Sequence, residues 1–484
     1  MHIVDLTIFV VYILVMLGIG FFFHKRNKDI DDYYVGGRKM GSLHIGLSVV
    51  ATDVGGGFSI GLGGLGFAIG IAGSWMLFTG LIGAWLSAVI LIPRIKRLSK
   101  SVKLYTFPQI FETFYDHRVA LLAGIISAIG YIGFTSSQLL AGAKLASATF
   151  IDLNLNHALL LMGFVAIVYT VLGGLKAVIY TDSVQWAILM TGLIFIGIPF
   201  SYEAIGGIEA IKATLGPEFL SFSNVSWQSL LNWFVTIVPI WFVGMTLYQR
   251  IYASRDEKQA KRAWYIAGIF EWPIMAFMGV LLGLFARVAF ENGMFIDMGY
   301  ETRADLDAEM GLPLLLRNIL PYGLMGLILS AYFSAILSTA DSCLMAASGN
   351  LLSDIIGKFS KIDILNKKTL LLSKGLTFVI GGIALLIAWK MKMVLELMLY
   401  SYAFMVSGLF VPVLAALLSK HTNSVAAFLS MLIGGSTTLI LIIIDIPLPF
   451  QLDPNIFGIT ASLVVYLIAS RLFYKLRKLK RYEV

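Results

Sequence analysis

The sequence predicts an all-α polytopic membrane protein with thirteen transmembrane helices: two five-helix halves of opposite orientation, with one helix before them and two after. Three observations lead there. The 484-residue chain is 58% hydrophobic and only 13% charged, with a mean hydropathy of +0.86, a balance that calls for a bilayer as solvent. Apolar stretches recur from end to end, each close to the ~20 residues needed to cross a hydrocarbon core. Two of them, five places apart in the series, carry glycine or proline interruptions at corresponding positions.

Span 1 covers residues 5–23 and runs into His24, Lys25 and Arg26, so it reads as a helix that stays in the membrane and not as a cleaved leader. Spans 2–6 cover 43–71, 73–93, 119–148, 155–173 and 180–200. Spans 7–11 cover 229–248, 262–288, 312–345, 370–390 and 394–418, and spans 12 and 13 cover 424–444 and 455–474. The expected organisation is one membrane unit: a first helix and cytoplasmic loop (1–42), two repeats (43–200 and 229–418), and two extra helices with a basic cytoplasmic tail (419–484). Because five is odd, the repeats enter the membrane in opposite senses.

Charge sets the orientation. With the N-terminus outside, the inside loops collect the Lys and Arg residues of 25–39, 94–103, 250–262 and 358–374 and of the tail. The outer loop 289–311 is acidic, with Glu291, Asp297, Glu301, Asp305, Asp307 and Glu309. This positive-inside bias predicts a multi-pass protein of the cell membrane with its N-terminus outside and its C-terminus in the cytoplasm. The net charge of +8 follows from that topology. It is no sign of nucleic-acid binding, and the tail suits anionic lipid. A single cysteine, Cys343, excludes an internal disulfide, and no zinc-spaced histidines, Walker loop or nucleophile elbow occurs.

Span 2 contains Ala51-Thr52-Asp53-Val54-Gly55-Gly56-Gly57. Each glycine costs a helix about 1 kcal/mol relative to alanine, and a carboxylate at membrane depth costs about 2.5–3.5 kcal/mol on insertion scales. Together they predict a helix broken to expose backbone carbonyls beside an acidic group; a glycine packing face capped by Asp53 is the plainer alternative. In span 7, Pro239 removes a backbone donor, which predicts a kink or unwinding at the matching place.

Span 9 places Ala335, Ser338, Thr339 and Ser342 at i, i+3, i+4 and i+7, on one helical face. Hydroxyls and the free carbonyls of an unwound neighbour make an uncharged oxygen cage suited to a hard monovalent cation. Small hydroxylated residues also serve helix packing, but packing does not require Asp341 in the same stretch. Asp182, at the start of span 6, reads equally as a helix N-cap or as an acid near the cytoplasmic mouth that helps release a cation. Glu271 is a further intramembrane carboxylate in span 8, with Lys144 and Arg287 as candidate partners.

These elements resemble the sodium:solute symporter family, which includes transporters of glucose, proline, sialic acid, iodide and choline. The matching pieces are Ala-x-Asp-Val at 51–54, Tyr169-Thr170-Val171-Leu172-Gly173-Gly174-Leu175 followed by Tyr180-Thr181-Asp182-Ser183-Val184-Gln185, Tyr248-Gln249-Arg250, and Ser338-Thr339-Ala340-Asp341-Ser342. They occur in the family's order over residues from about 30 to 420.

The resemblance implies a LeuT-type 5+5 inverted repeat, alternating access, and import of a small organic solute coupled to sodium, by a protein functional as a monomer. It maps a main sodium site onto the carbonyls of Ala51, Val54 and Ala335 and the hydroxyls of Ser338 and Thr339, tuned by Asp53. A second sodium site or release path would fall on Asp182, Asp341 and Ser342, together with Ser338. Candidate solute contacts are Phe58, Phe134, Ser137, Ile237, Trp241 and Tyr402. Polar groups that sugar and proline members use are replaced here by Phe58, Phe134 and Ile237, which argues against a hexose. The aromatic lining and acidic neighbour fit a small amino acid or a quaternary amine. Proton coupling through Asp53, Asp182 or Asp341, and transport of a sugar or carboxylate, are the alternatives of the same fold. An integral-membrane enzyme or sensor is the alternative of another class, and no nucleophile–base pair supports it.

Overall fold

The computed structural model describes residues 2–24, 35–150, 153–173, 175–359, 367–419 and 421–480. Apart from one isolated bridge between Met40 and Ser254, these residues are helical or irregular. The first half comprises α1 (Ile3–His24), α2 (Ser42–Ile69), α3 (Trp75–Leu98), α4 (His117–Thr149), α5 (Leu155–Gly173) and α6 (Leu175–Gly192). There follow α7 (Trp227–Val243), α8 (Met245–Ala253), α9 (Glu257–Ile269), α10 (Ala276–Glu291) and α11 (Ala308–Ile319). The remainder is α12 (Leu324–Gly349), α13 (Lys367–Lys390), α14 (Val394–Leu418), α15 (Ser424–Ile444) and α16 (Pro454–Lys480).

Among the described residues, nine helices are long and apolar enough to cross a membrane, or ten if the bent pair α7–α8 counts as one span. The sequence predicts a larger number for two physical reasons. Gly55–Leu98 forms one apolar run of 44 residues where two spans are expected, and Ile3–Met16 and Leu155–Val171 are apolar over shorter lengths. The inside-loop residues Lys25, Arg26, Lys28 and Lys361, the tail Arg481, and Gly174 lie outside the described residues, as do the side chains of Val54, Phe58 and Tyr180.

The span that carries Ser338, Thr339 and Asp341 is the most enclosed. In α12 and its extension, 94% of the apolar window is buried, against 28% for the window in α16 and 33% for α13 and α15. α12 packs on α4, α6, α2 and α1, so its hydroxyl-rich face meets protein in place of lipid. Its first turn is held by Asp5 of α1, whose Oδ1 accepts from the Gly323 and Gly326 amides at 2.7 and 2.8 Å.

Three helices are interrupted. α2 keeps helical geometry except at Gly55, where φ is +41° and ψ −162°. α7 and α8 meet at Gly244, which is extended, with a 43° bend. Pro239 lies inside α7, so the interruption falls five residues beyond the proline the sequence singles out. The reason is capping: the Phe242 carbonyl at the end of α7 accepts from the Tyr248 hydroxyl at 2.7 Å, which stabilises a helix end there. The third interruption joins α9 to α10 through the wide turn Phe270–Met275, where Trp272 is extended and Pro273 follows.

Candidate functional site at the helix breaks

The break at Gly55 is both required and satisfied. Its backbone conformation is one that residues with a Cβ rarely adopt, and an added Cβ would stand 2.5 Å from Thr339 Oγ1. α2 therefore opens where it touches α12. The freed amides of Gly56 and Gly57 donate to Gln138 Oε1 of α4 at 2.9 and 3.2 Å, and the Gly55 carbonyl accepts from the Ser59 hydroxyl at 2.7 Å. Sequence reasoning missed Gln138; the available signal was an amide beside Thr135, Ser136 and Ser137 in the middle of span 4.

Beside the break, Thr339 Oγ1 lies 2.8 Å from the Ala51 carbonyl oxygen and 3.2 Å from that of Ala335. Three of the five oxygens expected around the main sodium ion are thus brought together from α2 and α12. The Ser338 hydroxyl turns the other way and donates to Asp182 Oδ1. Val54 follows Ala51 on the same helix, and its side chain is outside the described residues.

Asp182 is no N-cap. It lies within α6 and is fully buried. Its Oδ2 accepts from Ser48 at 2.5 Å and stands 3.5 Å from Arg250 Nη2, whose side chain is equally buried. The same guanidinium donates to Thr52 at 2.6 Å, Ser342 at 2.8 Å and Ser48 at 3.2 Å. Two of the residues expected at a second sodium site, Asp182 and Ser342, therefore already face a fixed cation. Asp341 is held by α5, accepting from the Thr170 hydroxyl. Removing one partner of such a buried pair typically costs about 3–5 kcal/mol, because the other charge is stranded.

The expected solute residues form two groups. Tyr402 of α14 reaches Asp53 Oδ1 with its hydroxyl at 3.5 Å, and its ring meets Phe134 edge-on at a centroid distance of 5.0 Å. Trp241 of α7 is fully buried, with its indole N–H unpaired and its ring edge-on to Trp264 at 6.3 Å. Ile237 is buried one turn earlier. Ser137 is committed to its own helix: its hydroxyl donates to the Phe134 carbonyl at 2.8 Å and accepts from Gln138 at 3.2 Å.

Neither candidate partner reaches Glu271. Lys144 pairs with Asp307 and, at 2.6 Å, with Glu309, which also accepts from the Val394 and Leu395 amides that open α14. Arg287 pairs with Glu291 at 2.8 Å. Beyond the break, α2 borders a cavity of about 390 Å³ that includes Gly61, Gly64, Leu65, Glu309, Glu396 and Asp453 in its lining.

An all-helical membrane protein whose buried polar groups converge on helix breaks has the construction of a secondary transporter. The chain belongs to the sodium:solute symporter family, which matches residues 33–434. It is 28% identical over 479 residues to the osmoregulated proline transporter OpuE of Bacillus subtilis, covering 95% of this chain and 94% of that one. It is 27% identical to the high-affinity proline transporter PutP of the same organism, covering 88% and 89%. The match to sodium/glucose cotransporter 1 of Oryctolagus cuniculus is 25% identical and covers 89% of this chain and 70% of that one. Among solved structures, a Na+-coupled sialic acid symporter in a substrate-bound outward-open state has a TM-score of 0.79 at 22% identity, covering 97% and 98%. Mhp1, a nucleobase-cation-symport-1 family transporter, has a TM-score of 0.53 at 13% identity, covering 92% and 94%. These two likenesses show the shared fold.

Proposed function

We propose that the protein is a sodium-coupled symporter that imports a small amino acid or quaternary amine by alternating access. The observation that carries this reading is the break at Gly55, held against Thr339 beside the Ala51 carbonyl. The Thr339 hydroxyl lies within hydrogen-bonding distance of both the Ala51 and the Ala335 carbonyl oxygens; Val54 and Ser338 complete the sodium site once the Ser338 hydroxyl turns from Asp182. Such a cage suits a monovalent cation because it is mostly uncharged. Asp53 strengthens its field from the adjacent position without ligating.

One sodium ion per cycle accounts for the charges. Arg250 stands as the resident cation where Asp182 and Ser342 meet, with Asp341 bound to Thr170. Residues 43–200 and 229–418 are the inverted repeats, which the corresponding breaks at Gly55 and Gly244 support. They sit within thirteen spans, N-terminus outside and C-terminus cytoplasmic, in a monomer. Two of the relatives are proline transporters by name, which supports an amino-acid solute. Sodium drives uptake only through its different affinity for the outward and inward states.

The test is the double variant Ser338→Ala with Thr339→Ala, assayed in proteoliposomes under an imposed sodium gradient. Half-maximal uptake should require far more sodium. Unaltered sodium dependence in that variant refutes the site.

A further inference from the structure

Glu271 has no part in the sodium site, yet it is fully buried, and Asp53 is 5% exposed. The two side chains come from different interruptions, Asp53 just before the break in α2 and Glu271 in the wide turn between α9 and α10, and they are hydrogen-bonding neighbours. One proton shared between the two carboxyls satisfies that contact and leaves the pair with a net negative charge. Apart from that proton, Asp53 Oδ2 and both Glu271 oxygens have no donor among the described residues. The buried cations of α4, α8 and α10 are committed elsewhere: Lys144 to Asp307 and Glu309, Arg250 to Asp182, and Arg287 to Glu291.

α3 and α14 close around the pair. Added Cβ atoms at Gly80 and Gly83 of α3 would stand 1.9 Å from Glu271 Oε2 and 2.4 Å from Trp241 Cδ1. Glu271 and Trp241 therefore lie one turn apart against the same face of α3. Tyr402 approaches Asp53 from the opposite repeat. A buried acceptor pair with an aromatic wall needs a ligand that brings both positive charge and N–H donors.

We propose that Asp53 and Glu271 form the subsite for a protonated amino group of the transported solute, so that the solute carries a primary or secondary ammonium and is not a quaternary amine. This rests on the symport reading above and decides between its two solute classes. A quaternary nitrogen has the charge but brings no N–H donor to the remaining carboxyl oxygens.

The experiment is a thermal-shift titration of the purified full-length protein, in sodium, against the proteinogenic amino acids, glycine betaine, choline and glucose. The best amino acid is then compared with its N-methyl and N,N-dimethyl derivatives, which remove N–H donors stepwise while the nitrogen stays cationic. The expected result is binding by an amino acid that weakens with each methyl group, by about tenfold or more in all, the equivalent of about 1.4 kcal/mol. Glu271→Gln should impose a similar loss, Glu271→Asp should restore part of it, and the sodium midpoint measured without solute should stay put. The methyl series uses the unaltered protein and decides the matter even if the variants fold poorly. Glycine betaine or choline binding as tightly as the best amino acid overturns the proposal, as does a Glu271→Gln variant that loses sodium and keeps solute affinity. Absence of sodium-dependent stabilisation by every compound overturns the symport reading as well, whereas stabilisation indifferent to N-methylation overturns this proposal alone.

Discussion

Gln138 gives the sharpest test of how the broken helix is held. Its Oε1 accepts from the amides of Gly56 and Gly57 at 2.9 and 3.2 Å, both deep in the bundle. Gln138→Met keeps the length and volume and removes the acceptor. Each buried amide left without a partner costs about 1–3 kcal/mol, so the open conformation of α2 loses about 2–6 kcal/mol if water does not enter. A continuous helix escapes this penalty, because there the two amides return to the carbonyls four residues earlier. The substitution therefore weighs on the ion-binding conformation selectively. The lower figure of about 2 kcal/mol corresponds to about thirtyfold in an equilibrium constant, and the half-saturating sodium concentration should rise by about that factor. The assay is sodium titration of purified protein by thermal shift, paired with uptake in proteoliposomes. Gln138→Glu, which retains an acceptor, should shift the midpoint much less. A Gln138→Met midpoint within about twofold of the parent would show that the amides find other partners, and the reasoning would fail.

Gly55→Ala combines backbone strain of about 1–3 kcal/mol with a Cβ 2.5 Å from Thr339 Oγ1. Sodium-dependent uptake should fall to background while the protein still inserts, which surface labelling with an uptake assay distinguishes. Asp453 lies in the loop before α16, and burial raises its carboxyl to about 6 from the usual 3.8. The folded state then holds the proton more tightly than the unfolded one, so its contribution to stability is complete below about 3.8 and is lost as pH rises through about 6. Asp453→Asn should accordingly raise the melting temperature at pH values well above about 6 and have little effect below about 3.8, as read from melting curves across pH.

Nine or ten of the thirteen expected spans appear among the described residues, and these were legible because apolar length is a local property. So was the break in α2, since three glycines beside a buried carboxylate have few other uses, and the hydroxyl face of α12 follows from helical spacing alone. What sequence did not reveal depends on partners far along the chain. Proline at 239 loses one helical bond, but the chain turns where the freed carbonyl of Phe242 finds Tyr248. Gln138 serves amides 82 and 81 residues away. Arg250 was visible as part of a motif; its role was not, because its partners Asp182, Thr52 and Ser342 come from three other helices. Asp182 resembled a cap because α6 begins earlier than its apolar run suggests.

Hydrogen-bond satisfaction separates scaffold from site. A helix break costs little when each freed group has a partner, and at Gly55 the Gly56 and Gly57 amides and the Gly55 carbonyl do. The ion pair of Asp182 and Arg250 is likewise surrounded by hydroxyls of Ser48, Thr52, Ser338 and Ser342. Such a saturated network has no spare valence for a solute, and it holds α2, α6, α8 and α12 in fixed register. A short distance away, Asp53, Glu271 and Trp241 retain unpaired polar atoms in equally buried surroundings. Buried polar groups without partners are rare and demand a cause. Such atoms also occur elsewhere in the bundle, at Trp186, Gln249 and Asp341 for example, but Asp53 and Glu271 are neighbours and Glu271 and Trp241 share one face of α3. Binding a solute there would supply the missing donors and acceptors together, linking the interruptions of α2, α7 and the α9–α10 turn through one ligand. Since those interruptions lie in both of the proposed repeats, a ligand bound there would complete the contact between them.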